Sequence, residues 1–468
     1  MSPLELDFES CYRAVSARDS RFDGRFYTAV TTTRIYCRPI CPARTPSSRN
    51  VRFYRHAASA EAAGFRPCKR CRPELSPGDP GWDLRGDLVG RALRLIDDGA
   101  ADERGVAGLA RRLHITERHL HRLFVAELGV GPLAVARTKR LLLAKQLLTE
   151  TGLPVTEVAF AAGFGSVRQF NATMRETYGF TPSELRATAG RPAAAPPAPE
   201  VAGPVTLRLR LHRREPYDVA GVFGFLTSRA IPGLEVASPA SYSRAVPGGT
   251  ITLTPRPDHV ALDVAVADTR QLARVVARCR RLLDLDADPD AIAEALGQSS
   301  LAPLVQARPG LRVPGTFDGF ELAVRAVVGQ QISVAGARTL LGRIVARTGG
   351  PLFPTAAELR EADLTGLGLT NRRIATLADL SGRVADGDID LDGGQDPAEA
   401  VAELLKVPGI GPWTASYIAL RALRDPDAWP TGDLVLNKRM AALGIPHDHI
   451  ERWRPWRAYA ALHLWSSS

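Results

Sequence analysis

Four cysteines in two tight pairs constrain the first part of this 468-residue chain more than any other feature does. Cys37 and Cys41 form a C-x3-C pair, and after 26 intervening residues Cys68 and Cys71 form a C-x2-C pair. Two such pairs can place four thiolates around one tetrahedral site, which suits a zinc ion. We therefore predict one zinc ion per chain and a small zinc-bound α+β domain over residues 1–80. Spacing alone favours a purely structural site, because most four-cysteine zinc sites are structural.

The residues around these cysteines favour a second interpretation. Residues 26–39 and 63–71 resemble the N-terminal domain of the Ada family of adaptive-response regulators, with all four cysteines in place. The resemblance implies that one zinc-bound cysteine, Cys37 by position, takes the methyl group of a methylphosphotriester in the DNA backbone. Thiolates on zinc stay nucleophilic without a general base. Methylation also removes a negative charge beside DNA, so the same event can act as a switch. The basic residues that are candidate phosphate contacts are Arg34, Arg38, Arg44, Lys69 and Arg70, and for each one alone a solvated surface charge is the favoured alternative.

Helical spacing then occurs twice in residues 85–190, each time as two helices joined by a tight turn. Residues 106–113 lead through Thr116, a suitable N-cap, into a second helix, and residues 155–164 lead into 166–175. This internal repeat and the residues that follow it resemble the AraC-type DNA-binding domain, an all-α double helix-turn-helix domain. Because one chain holds both units, we expect a monomer that binds DNA through the second helix of each unit. The candidate DNA-contacting residues are Arg118, His119, His121, Arg122, Ser166, Arg168, Gln169 and Asn171.

Charge is distributed unevenly along the chain. Residues 1–190 hold 29 basic and 20 acidic side chains, whereas the remainder holds 31 and 30. The basic excess favours a polyanionic partner. The family resemblances imply that this partner is double-stranded DNA, both promoter and damaged, with RNA polymerase as a further partner. The sequence has no apolar run of about 18 residues, so no membrane span is expected, and its first residues lack the pattern of a secretory signal. We expect a cytoplasmic, nucleoid-associated bacterial protein.

The second half follows a Pro/Ala-rich stretch, residues 191–204, whose composition is typical of a semi-extended linker. Strict alternation over residues 205–211 and 250–254 predicts strands, and we expect an α+β subdomain over residues 205–290. Residues 291–468 are predicted to form an all-α domain. The predicted fold class is therefore multidomain and mainly α.

A tight Pro-Gly-Ile-Gly turn, residues 408–411, joins two helical patterns in the last third of the chain. Glycine tolerates positive φ and lets a foreign backbone come close. The helix that starts directly after the turn presents free N–H groups and the positive end of its dipole. We therefore predict that Gly409 and Gly411 contact a DNA phosphate. An ordinary helix–turn–helix corner with a glycine cap stays open as the alternative.

Two aromatic residues and an aspartate follow this turn and make it more specific than an ordinary helix–turn–helix corner. Trp413 and Tyr417 share one helix face, and Asp433 follows about twenty residues after the hairpin. Together they resemble the helix-hairpin-helix DNA glycosylases of the AlkA branch, and the resemblance covers almost the whole second half. It implies hydrolysis of the N-glycosidic bond of alkylated purines, with Asp433 as the carboxylate beside the sugar and Trp413, Tyr417 and Trp465 around the flipped base. A helix N-cap is the alternative for Asp433 and core packing for the aromatic residues, and Trp456 is predicted to be core.

The chain departs from the AlkA pattern at one site. The wedge that fills the gap left by the flipped base falls on Gln331 instead of an aliphatic residue, and Ile332 is a second candidate. Lyase-type relatives carry a lysine where Trp413 stands, which argues against strand cleavage. Two other readings compete: a DNA-binding regulator with a catalytically silent second half, and a repair protein with two methyltransferase sites. The second of these would need a Pro-Cys-His-Arg motif that the sequence lacks.

Overall fold

The structure, a computed structural model, describes residues 6–79, 88–188 and 205–467. The predicted linker at residues 191–204 lies outside these residues. The chain divides into two compact units, and the first also takes in a short segment of the second half. The described residues of the first unit are 6–79, 88–188, 205–212 and 265–277, and those of the second are 213–264 and 278–467.

The first unit begins with α1 Phe8–Ala17, β1 Tyr27–Val30, β2 Ile35–Cys37, β3 Val51–Tyr54, α2 Ala57–Ala62 and β4 Arg66–Pro67. The strands form one sheet in the order β3-β1-β2-β4, in which β1 is antiparallel to both neighbours and β2 runs parallel to β4. Aromatic side chains fill its core. The rings of Tyr27 and Tyr36 meet edge to face with centroids 5.6 Å apart, an arrangement that favours aromatic pairs.

Helices make up most of the rest of the first unit: α3 Leu88–Asp97, α4 Ala100–Arg112, α5 Glu117–Leu128, α6 Pro132–Glu150, α7 Val155–Ala161, α8 Val167–Tyr178 and α9 Pro182–Thr188, followed by β5 Val205–His212. The internal repeat is confirmed in detail. The Thr116 hydroxyl accepts from an amide in the first turn of α5, and the Ser166 hydroxyl does the same for α8. Both helices end at a glycine with φ +73°, Gly129 and Gly179.

A buried carboxylate joins the sheet to the helices inside this unit. Glu61 accepts hydrogen bonds from the hydroxyls of Tyr36 at 3.0 Å, Thr138 at 2.6 Å and Tyr178 at 3.5 Å. Burial raises the pKa of Glu61 to about 7, although the three hydroxyls oppose the shift. The residues that these bonds connect lie on β2, α2, α6 and α8, so hydrogen bonds to one carboxylate join the sheet to the long helix between the repeats and to the second repeat.

The second unit opens with α10 Val219–Arg229, β6 Glu235–Ser238, β7 Ser241–Val246 and β8 Gly249–Pro255. The chain passes between the units within β9 His259–Val266 and α11 Leu272–Leu282. In the sheet, β7 pairs antiparallel with β6 and with β8, and Tyr242 lies opposite Leu253. The alternation predicted over residues 250–254 is confirmed, since Ile251 and Leu253 are buried on one face.

Helices then surround one apolar core: α12 Pro289–Gly297, α13 Ala302–Ala307, α14 Gly319–Val328, α15 Val334–Arg347, α16 Ala356–Glu361, α17 Asn371–Asp386, α18 Pro397–Leu405, α19 Pro412–Arg421, α20 Leu434–Ala442 and α21 Arg457–Ser466. α14 is buried along nearly its whole length. At its first residue, Gly319, a Cβ atom would lie 2.3 Å from the carbonyl oxygen of Leu391, so only glycine permits this approach.

The predicted fold class is confirmed: the protein is multidomain and mainly helical, with a small sheet beside the cysteines and a second sheet in the other unit. Trp456 is 7% exposed and belongs to the core, as predicted. Among the described residues, no helix combines the length and the apolar character that crossing a membrane requires.

Candidate zinc centre, DNA-contacting residues and base pocket

The parallel pairing of β2 and β4 brings the two cysteine pairs together. Tyr36 lies opposite Pro67, and the amide of Cys68 donates to the Tyr36 carbonyl at 2.9 Å. Cys37 ends β2 and Cys68 directly follows β4, so one cysteine of each pair lies at the same edge of the sheet. The other two follow on the tight turns that leave the strands. The pairing of β2 with β4 therefore brings two cysteine pairs that are distant in sequence into one site.

The sulfur atoms of Cys37, Cys41, Cys68 and Cys71 all lie within 4.8 Å of one another. Four sulfurs bound to one zinc ion would be about 3.8 Å apart, so the donor set fits the metal. Backbone amides support the thiolates, since Arg38 N donates to Cys71 Sγ and Arg70 N to Cys68 Sγ, each at 3.3 Å. Cys37 and Cys41 are half-buried, whereas Cys68 and Cys71 are buried.

The structure corrects one of the predicted phosphate contacts. Arg38 is only 9% exposed, and its guanidinium pairs with both carboxylate oxygens of Asp23 and donates to the carbonyl of Cys71 at 3.2 Å. A guanidinium that is paired with a carboxylate and turned inward holds the cysteine loop and is not available to DNA. The position next to Cys37 in sequence suggested surface exposure, but Arg38 directly follows β2 and its side chain is turned into the unit by the pairing with Asp23.

The second helices of the repeat present their polar faces to solvent. Arg118, Arg122, Arg168 and Gln169 are exposed. His119 is half-buried, and its Nδ1 lies 2.9 Å from an Arg122 nitrogen. The exposed residues therefore remain open to a partner, as a recognition helix requires.

The hairpin has the predicted glycine geometry at Gly409. Its φ is +97°, and a Cβ atom there would lie 2.2 Å from Thr376 Oγ1. The same hydroxyl donates to the Pro408 carbonyl at 2.7 Å, and the Gln330 side chain donates to the Gly409 carbonyl at 3.0 Å. Gly411 differs, because its φ is −97° and a Cβ atom there would meet nothing within 4 Å. It precedes α19, whose N-terminus has no side-chain cap.

Asp433 is 8% exposed and is the N-cap of α20, as its alternative reading predicted. Its Oδ1 accepts the Leu436 amide at 2.8 Å and the Trp465 indole N–H at 3.2 Å, while Oδ2 accepts the Trp413 indole N–H at 2.7 Å. Three N–H donors and the positive end of a helix dipole hold an anion without any ion pair among these contacts. The carboxylate therefore keeps its orientation toward the space beside it.

That space is a cavity of about 520 Å³ in the second unit. Trp413 and Tyr417 stack on its wall with centroids 5.4 Å apart and planes 9° from parallel, and Trp465 meets Tyr417 edge to face at 6.4 Å. The structure thus brings Asp433 together with the three residues predicted for the base pocket. A cavity of this size, with aromatic walls and one carboxylate, can take a single flat cationic ring system.

The loop that carries the predicted wedge lies between α14 and α15. Gln331 is exposed and adopts φ +57°, a left-handed conformation that is uncommon for a residue with a side chain. Ile332 is 37% exposed and lines the cavity with Val334. Sequence reasoning did not place several cavity residues, among them Phe225, Arg229 and Arg421. Phe225 and Arg229 lie in the pattern Phe-Gly-Phe-Leu-x-x-Arg, residues 223–229, and nothing in that pattern indicates a place in the pocket.

Comparison with protein families agrees with this division of the chain. Residues 10–74 match the metal-binding domain of Ada, residues 109–188 match a helix-turn-helix domain, and residues 208–318 match the AlkA N-terminal domain. The match to the Ada domain and the converging sulfurs identify the cofactor as one zinc ion on four cysteines. DNA is the partner that the helix-turn-helix domain binds.

Comparison with individual proteins extends over the whole chain. The probable bifunctional transcriptional activator/DNA repair enzyme AlkA of Mycobacterium tuberculosis is 48% identical over 98% of this chain and 96% of its own length. The DNA-3-methyladenine glycosylase 2 of Escherichia coli is 34% identical over 54% of this chain and 95% of its own. The bifunctional activator and repair enzyme Ada of the same species is 38% identical over 37% of this chain and 48% of its own. The chain therefore belongs to the family of bifunctional transcriptional activator/DNA repair enzymes that join an Ada-type half to an AlkA-type glycosylase half.

Proposed function

We propose that this chain removes alkylated purines of the 3-methyladenine type with Asp433 as the catalytic carboxylate, and that it senses methylphosphotriesters through Cys37. One observation carries the glycosylase assignment: a buried carboxylate held by two indole N–H groups forms part of the wall of an aromatic cavity. A silent second half would need no such arrangement. We propose the zinc domain at residues 1–80, the AraC-type domain at 85–190 and a linker at 191–204. The α+β subdomain follows at 205–290 and the helix-hairpin-helix glycosylase domain at 291–468.

The glycosylase step follows from the pocket. The damaged nucleotide leaves the duplex, and its cationic purine stacks on Trp413 and Tyr417. As the bond between C1′ and the purine nitrogen breaks, the sugar gains oxocarbenium character, which the negative charge of Asp433 stabilises. Water attacks C1′ and gives a proton to the carboxylate. Since no lysine replaces Trp413, the reaction ends at an abasic site without strand cleavage.

The methyl-transfer step belongs to the zinc centre. The half-buried Cys37 sulfur attacks the methyl carbon in line, the phosphodiester leaves, and the cysteine becomes a thioether. The protein is consumed in this reaction. Loss of one thiolate charge lowers the repulsion from phosphate, which favours promoter binding. The residues proposed to contact DNA are Gly409, Gly411, Gln331, Arg118, His119, Arg122, Ser166, Arg168 and Gln169.

The wider setting is part of the same proposal. Two helix-turn-helix units in one chain can bind an asymmetric site, which suits a monomer. An activator acts by contact with RNA polymerase, and a repair enzyme acts on the chromosome, so we place the protein in the bacterial cytoplasm on the nucleoid. Analytical ultracentrifugation of the zinc-loaded protein, with and without promoter DNA, tests the monomer directly.

One experiment tests both chemical steps. The full-length protein is incubated with an excess of methylated duplex that holds 3-methyladenine and methylphosphotriesters. Many molecules of free base per protein are expected, because the glycosylase turns over. At most one backbone methyl group per protein is expected, located on Cys37 by peptide mapping. A methyl group on Cys41, Cys68 or Cys71 would show that the acceptor was assigned wrongly, and absence of free base would overturn the glycosylase assignment.

A further inference from the structure

Several guanidinium groups line the Asp433 cavity, and two that lie against one aromatic ring have no carboxylate partner. Arg229 and Arg421 both lie against the ring of Phe225, with their guanidinium carbons 3.9 and 4.5 Å from its centroid. Among the residues that the structure describes, neither forms an ion pair. Buried or partly buried cations are usually paired. Two unpaired ones in the cavity of an enzyme that acts on cationic bases therefore need an explanation.

Arg421 is held firmly. It is 8% exposed, and it donates from Nε to the Pro314 carbonyl at 2.7 Å and from one Nη to the Gly315 carbonyl at 2.8 Å. Its other Nη donates to the Tyr417 hydroxyl oxygen at 2.9 Å. Pro314 and Gly315 themselves line the cavity. One side chain thus fixes both the loop at the cavity wall and the phenol of the residue on which the base is proposed to stack.

This contact decides what the Tyr417 hydroxyl can do. Because its oxygen accepts from Arg421, its own O–H is left to donate to another group. Burial would raise the pKa of Tyr417, but the charges of Arg421 and Arg229 outweigh burial and lower that pKa below its ordinary value. A more acidic phenol is a stronger hydrogen-bond donor. The stack on Trp413 holds the ring at the cavity wall.

The value of such a donor depends on the base that leaves. When the C1′–N bond of a cationic alkylpurine breaks, the electron pair neutralises the base, and the product needs no proton. When the same bond of an uncharged purine breaks, the pair leaves negative charge on the base, which must finally take a proton from solvent. A hydrogen-bond donor beside two cations stabilises the second departure far more than the first.

We infer that Tyr417, positioned by Arg421, donates a hydrogen bond to an acceptor atom of the extruded purine and stabilises negative charge that develops on it as it leaves. The inference rests on the proposed glycosylase function and adds a leaving-group role to a residue otherwise proposed only as a stacking surface. Arg229 and Arg421 supply the positive field that makes the donation effective.

The test compares two bases in otherwise identical duplexes, cationic 7-methylguanine and uncharged hypoxanthine, in single-turnover release by the full-length protein. Tyr417→Phe keeps the ring and its stack and removes only the hydroxyl. Its rate loss should be roughly tenfold or more larger for hypoxanthine than for 7-methylguanine, as expected for removal of one donor to a developing charge. Arg421→Lys should show the same preference, because lysine cannot hold two carbonyls and the phenol together.

A matched control is Tyr459→Phe. Tyr459 is a buried tyrosine of the second unit whose hydroxyl donates to Asp284 at 2.8 Å, and it does not line the cavity. Any loss in this variant should be the same for both bases. Equal losses for both bases in Tyr417→Phe, or no release of hypoxanthine by the wild type, would overturn the inference while leaving the glycosylase in place. Release of neither base by the wild type would overturn the proposed function as well.

Discussion

The zinc centre and the base pocket are built in opposite ways. The four zinc ligands fall within residues 37–71 and lie at or just beyond the ends of two adjacent parallel strands. The base pocket draws on residues from Phe225 to Trp465 and on many separate helices. The first site is encoded by local spacing and completed by a metal ion. The second exists only when a large apolar core has packed, and it needs no ion to hold its carboxylate.

The contrast predicts that the metal matters for one site alone. Removal of zinc by a chelator should unfold the sheet around Cys37, because structural zinc sites contribute about 10 kcal/mol or more to folding. Hydrogen exchange followed by mass spectrometry should show loss of protection over β1 and β2 and none over α19. Base release should persist in the same sample. Protected β1 and β2 amides in metal-free protein would contradict the prediction.

A second prediction removes charge from the base pocket. Asp433→Asn should lower release of 3-methyladenine by roughly a hundredfold or more, about 2.7 kcal/mol of barrier. The remaining oxygen can still cap α20, so folding should persist, although the Trp413 indole N–H then faces an amide N–H2 group. Trp413→Ala should weaken both base recognition and rate. Methyl transfer to Cys37 should be unaffected by either change. If Asp433→Asn released the base at the wild-type rate, Asp433 would act only as a helix cap and the catalytic assignment would be wrong.

A third prediction separates folding from DNA contact within the hairpin. Gly409→Ala should destabilise the second unit by about 2–3 kcal/mol, because it combines positive φ with a clash against Thr376. Gly411→Ala should change stability by less than about 0.5 kcal/mol, since its Cβ meets open space. If Gly411 contacts a phosphate, DNA affinity should nevertheless fall in this variant. Denaturant midpoints and fluorescence anisotropy on a duplex with an abasic site measure the two effects.

The smallest effect concerns pH and the first unit. The folded pKa of Glu61, about 7, lies above its ordinary value of 4.5. The stability that the protonated form contributes is therefore present at low pH and is lost as pH rises through 7. Between pH 5.5 and 7.5 the loss should be about 2 kcal/mol. Both Glu61→Gln and the wild type are measured at saturating zinc, so that the pH dependence of zinc binding by the four thiolates is the same in both. The loss of stability due to Glu61 should then be present in the wild type and absent in Glu61→Gln. Parallel curves for the two proteins would contradict the assignment.

Local chemistry in the sequence was enough to predict much of this protein. The cysteine spacing predicted zinc, because a tetrahedral thiolate site requires little more than two tight turns. The doubled helical pattern with Thr116 as an N-cap predicted the helix-turn-helix repeat, since helix caps and periodicity are local properties. Glycine at position 409 predicted a turn for the same reason. Asp433, Trp413, Tyr417 and Trp465 were predicted from family resemblance, and the structure brings them together.

Tertiary structure decided what these residues touch. Arg38 was predicted at the surface, as a phosphate contact or a solvated charge, and is instead buried and paired with Asp23, because packing sets the direction of a side chain and adjacent sequence does not. The indole bonds to Asp433, and the bonds from Arg421 to the carbonyls of Pro314 and Gly315, join segments whose relative placement depends on the whole core. Hydrogen bonds between distant residues follow from packing, and packing depends on the summed burial of many apolar side chains. The sequence by itself therefore determined which chemistries the chain carries, and the fold determined which groups orient and tune them.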